Sequence, residues 1–82
     1  MEDIEKSKRY APLVIVGDKM LPNEGVQPLL NWLFGEEVDM ETVSVSALLE
    51  EIAVQKRRCV DPQKYLAAGM LELDVKHAVR MQ

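Results

Sequence analysis

Asp61-Pro62-Gln63-Lys64-Tyr65-Leu66-Ala67-Ala68-Gly69-Met70-Leu71-Glu72-Leu73-Asp74-Val75-Lys76-His77-Ala78-Val79-Arg80-Met81-Gln82 is the stretch on which the fold turns. Pro62 disfavours helical geometry at the residue before it, so Cys59-Val60 is a break between two elements. Asp61 suits an N-cap and Pro62 the first helical position, where its missing N–H costs little. The pattern predicts a helix over about 62–81. If it runs unbroken it carries two apolar stripes: Ala68, Leu71, Val75, Ala78 and Val79 form one, and Leu66, Met70, Leu73 and Met81 the other. Glu72, Lys76 and Arg80 recur every four residues between them in the favourable acid-before-base order. Two stripes on one helix call for two surfaces to pack against. In so short a chain the second is expected on another molecule.

The same stretch has a second reading, as two short helices turning at Gly69. Asp74 would then cap a second helix carrying Lys76, His77 and Arg80 toward a nucleic-acid groove, in the manner of a helix-turn-helix. Against it, Tyr65 stands where a small residue would ease helix crossing, and few side chains are suited to reading base edges.

Upstream, a helix is predicted over about 46–58. Val45, Leu48, Leu49 and Ile52 fall on one face. Ser44 or Ser46 can cap it, and Glu50 and Glu51 lie toward its start while Lys56, Arg57 and Arg58 close its last turn, matching the helix dipole. That basic cluster, with Lys64 near it, therefore reads first as dipole-complementing and solvated. Cys59 continues the apolar side and reads as a small, half-buried hydrophobe.

A third, shorter helix is expected over about 27–34, with Pro28 in the first turn and Gly35 as the stop. Val26, Leu29, Leu30 and Leu33 make its buried stripe, while Trp32 and Phe34 fall to either side. Before it, Gly17 to Gly25 reads as a loop. Pro12-Leu13-Val14-Ile15-Val16 is stiff and β-branched and reads as a strand over about 12–16, covered on both faces because its apolar run is continuous. A strand needs a mate, supplied either by 42–45 or by a second copy across a dimer; the sequence leaves both open. The fold class expected is mainly α, three helices with one N-terminal strand, the alternative being a small α+β fold. Residues 1–10, almost wholly polar, read as a mobile arm, and 11–82 as a single small domain.

Composition narrows the function. The chain has 82 residues, 48% of them apolar and 29% charged, with net charge −4. A domain of this size buries only about 60% of the surface its unfolded chain exposes. The acidic balance opposes broad adhesion to nucleic acid or anionic lipid. No apolar run approaches the ~18 residues of a membrane span, and no secretory leader is legible at the N-terminus. With one cysteine, these features point to a cytoplasmic protein.

Chemistry is poorly represented. Cys59 and His77, oriented by Asp74 or Asp61, would be the only imaginable nucleophile and base, and nothing local joins them. One cysteine and one histidine do not anchor a zinc site. Leu13-Val14-Ile15-Val16-Gly17-Asp18-Lys19 resembles the opening of a nucleotide-binding unit, but Pro22, Asn23 and Glu24 stand where a phosphate cradle needs glycines, or Gly-Lys-Ser/Thr at the helix start. We therefore expect no enzyme, cofactor or metal. The remaining signal is surplus apolar surface at Trp32, Phe34, Met70, Leu73 and Met81, residue types that interfaces favour. The competing account is that these side chains complete a small core from all sides. The reading is a small regulatory or adaptor protein that binds a protein partner or itself. The alternative is a DNA-binding regulator contacting nucleic acid through Lys76, His77 and Arg80.

Overall fold

The computed structural model describes residues 11–81. The β-branched run forms strand β1 (Val14–Val16), and a tight turn sends the chain back as β2 (Lys19–Met20). The pairing is antiparallel, Val16 opposite Lys19 and Ile15 opposite Met20. A two-residue hairpin needs a left-handed turn position, and Gly17 takes it with φ +64°. Part of the segment expected to be loop is therefore a strand.

Three helices follow. Helix α1 (Gln27–Phe34) has Pro28 in its first turn and ends on Gly35, whose φ of +75° lets its N–H donate to the Asn31 carbonyl at 2.8 Å. Helix α2 (Val45–Arg58) is capped by the Ser44 hydroxyl, which accepts from the Ala47 N–H at 3.0 Å. Asp18 holds the same helix start from the hairpin, its carboxylate accepting from the Ser46 N–H and hydroxyl. Helix α3 (Pro62–Lys76) opens as expected, the Asp61 carboxylate accepting from the Gln63 N–H at 2.9 Å.

The predicted helix over 62–81 is too long. Its helical part stops at Lys76, and Val79–Met81 forms β3, running parallel to β1 in the register Val14–Val79, Ile15–Arg80, Val16–Met81. The Val79 N–H donates to the Leu13 carbonyl at 2.8 Å. The physical reason is the demand of β1 for a second neighbour: a buried strand must pair its backbone groups on both sides, and β2 supplies only two residues. The sheet order is β2-β1-β3, so β1 finds both mates within its own chain, and neither is 42–45. That segment instead adds a single antiparallel bridge, Ser44 to Lys19, on the far side of β2. The result is a small α+β fold with three helices.

The strand also differs from the expectation of cover on both faces. Leu13 and Ile15 are buried, whereas Val14 is only half-buried and Val16 exposed, so one face of the sheet is open. The core joins that inner face to Leu30 and Leu33 of α1, Leu48 and Ile52 of α2, and Ala68, Leu71 and Val75 of α3. Helix α3 packs against both other helices. Leu49, expected on the buried face of α2, is exposed, because Val45, Leu48 and Ile52 already fill that face. Cys59 is exposed as well. It forms the left-handed end of α2, with φ 52°, and its N–H donates to the Gln55 carbonyl.

Candidate functional site

Helices α1 and α3 lie antiparallel. At one end the Lys64 ammonium sits over Gly35, where an added Cβ would stand 3.3 Å from Nζ. At the other, Val26, the N-cap of α1, and Leu29 within it face Met70, Leu73, Asp74 and His77 across a cleft of about 380 Å³. Ala11, Pro12 and Leu13 close its floor, together with Asn23 and Gly25. Asn23 is occupied by this task. Its amide donates to the Ala11 and Pro12 carbonyls, and its oxygen accepts from the Gly25 and Val26 N–H groups.

Beside the cleft runs an apolar line. Leu66, Met70 and Leu73 are 62%, 50% and 56% exposed, and their spacing of four and three residues aligns them on one side of α3. His77 extends the line by four residues. The buried side of the same helix is Ala67, Ala68, Leu71 and Val75. On α1, Trp32 stands three residues beyond Leu29 and is 54% exposed. With the helices antiparallel, it is level with the Leu66 end of α3.

The surplus residues thus separate. Met70 and Leu73 are brought together at the cleft, and Trp32 is exposed on the facing helix. Phe34 is not surplus: it is half-buried and packs against the core from the other side of α1. Met81 is exposed, though on the edge strand β3 rather than on a helical stripe. Of the expected inner stripe, Val79 is exposed and Ala78 only partly buried, because both lie past the end of α3. Leu66 belongs to the second apolar stripe read from the sequence but is not among the residues singled out there for partner binding, and Leu29 and Asp74 carry no partner-binding role in that reading. For Leu66 the signal was present, since it starts the line that Met70 and Leu73 continue.

The residues proposed for nucleic-acid contact do not share one helix. Lys76 is the last residue of α3, His77 its C-cap, and Arg80 lies on β3 with its guanidinium donating to the Val75 carbonyl at 3.4 Å. Helix α3 passes straight through Gly69, so the turn of a helix-turn-helix is missing there.

Electrostatically, Asp74 is the one carboxylate lining the cleft among the described residues. Burial raises its pKa above the ordinary 3.8, and among the described residues no side chain or backbone group bonds to it. The contrast is Glu72, which faces α2 and pairs with Lys56 at 2.7 Å. That hydrogen bond and the charge of Glu72 raise the Lys56 pKa above its ordinary 10.5. Cys59 does not line the cleft. Among the described residues no three His, Cys, Asp or Glu side chains gather as a metal would require, and no helix is long and apolar enough to cross a membrane. Among the described residues the cleft offers apolar contact, the Asp74 carboxylate, the His77 imidazole and the Asn23 amide. Compared with known proteins, the chain matches no family model, no curated protein and no solved structure.

Proposed function

We propose that this is a small non-enzymatic regulatory or adaptor protein that acts by binding another protein through the α1–α3 face. One observation carries the reading. Leu66, Met70 and Leu73 stay in water along one side of a helix whose opposite side already completes the core. Large apolar side chains aligned beside a cleft are what a docking surface requires, whereas singly scattered ones need no explanation. A cytoplasmic setting fits the lone cysteine.

The test is Leu73→Glu. The variant should keep its helical circular dichroism and lie within about 0.5 kcal/mol of the parent in denaturation. In paired pull-downs from the native host, proteins recovered by the parent should be lost with the variant. If Leu73→Glu unfolds the chain, the line belongs to the core and the reading fails.

A further inference from the structure

We infer that the α1–α3 cleft receives a short amphipathic helix of a partner protein, its apolar side laid along Leu66, Met70 and Leu73 and a lysine or arginine set against the Asp74 carboxylate. This rests on the protein-binding reading above and adds the chemistry of the partner.

Length argues for a helix. From Leu66 to Leu73 the apolar line covers roughly 10 Å of the α3 axis, and to His77 roughly 16 Å. A compact small molecule would fill the cleft of about 380 Å³ and leave Leu66 and Trp32 in water. A helix of about three turns, with apolar anchors at i, i+4 and i+7, covers the whole line.

Charge argues for a cation. Asp74 is half-buried among apolar side chains and has no bonded partner among the described residues. A buried carboxylate is costly until a donor meets it, and a guanidinium or ammonium held there is well matched. His77 is the other titratable lining residue; Lys76, its neighbour in sequence, is exposed and outside the lining. A second copy of the chain is the poorer occupant, since two chains of net −4 each would be brought together.

Two synthetic helical peptides of about three turns test this. Both carry leucines at i, i+4 and i+7, followed by arginine in one and glutamate in the other. Binding to the full chain is read from the emission of Trp32, the only tryptophan. The arginine peptide should shift that emission to the blue and bind about tenfold tighter or more than the glutamate peptide. Asp74→Asn should bring the two affinities together. If both peptides bind alike, or the preference survives Asp74→Asn, the inference falls while the protein-binding reading stands. If neither binds and solution mass doubles with concentration in a Leu73-dependent way, the face belongs to a second copy and the inference is again overturned. A full chain carrying Lys8→Gln and Arg9→Gln that binds the arginine peptide more than about tenfold tighter than the parent would give the cleft to the chain's own N-terminal segment and overturn the inference as well. Failure of both peptides, together with unchanged partner recovery by Leu73→Glu, removes both readings.

Discussion

Helices α2 and α3 are nearly equal in length, and both open on a side-chain cap, yet they use their apolar residues differently. In α2, Val45, Leu48 and Ile52 are buried on one face, Leu49 is left beside it, and the remainder is polar apart from Ala47, Ala53 and the half-buried Val54. In α3, Leu71 and Val75 are buried while Leu66, Met70 and Leu73 stand exposed across the axis. The neighbours explain the buried sides. Helix α3 lies between α1 and α2, which cover Ala67, Ala68 and Leu71 but leave its outer line in water. Surplus in α3 is therefore surface that folding does not require.

The largest effect that could break this contrast comes from making one substitution at two places on α3. Leu71→Ala removes a fully buried side chain and should cost roughly 3 kcal/mol in chemical denaturation. Leu66→Ala, five residues earlier, should stay within about 0.5 kcal/mol. Equal costs at the two sites would make the outer line core and erase the distinction between the helices.

Where α3 ends is the next point to sharpen. Val79→Pro removes the N–H that bonds to the Leu13 carbonyl and should destabilise the protein by roughly 2 kcal/mol. The far-UV helical signal of the folded protein should be unchanged, because the substitution lies outside α3. Loss of helical signal would mean that the helix continues past Lys76.

This end is also where sequence reasoning ran out. The caps at Ser44 and Asp61, the break at Cys59 and the stop at Gly35 were legible because each is set by neighbours within a few residues. Val79–Met81 was not. Three residues are too few to display alternation, and Ala78 and Val79 happen to continue the helical spacing of Leu71 and Val75. Their strand character comes from β1, more than sixty positions away in the chain, and tertiary pairing overrides local preference. At the site, Trp32, Met70 and Leu73 were legible as residues that no single buried stripe could absorb. Phe34 follows the competing account, half-buried because the core extends around α1 to meet it. Asp74 is legible in the sequence only as a helix cap or an orienting residue: its place in the cleft is shared with Asn23 and with Pro12 and Leu13, which come from the other end of the chain.

The smallest effect concerns that carboxylate, half-buried beside the exposed line. Burial raises its folded-state pKa above 3.8, so the folded chain holds this proton more tightly than the unfolded chain does. By linkage, its contribution to stability is most favourable below 3.8 and is lost as pH rises through the raised value. At neutral pH the charged Asp74 therefore detracts from stability. Asp74→Asn should raise the unfolding midpoint slightly at pH 7, and the gain should shrink as the solution is acidified below the carboxylate's titration. A loss at pH 7 would mean that the carboxylate already has a cation beside it in the free protein. In that case the α3 cleft is filled before any partner arrives, and the difference between the two helices is one of length and charge alone.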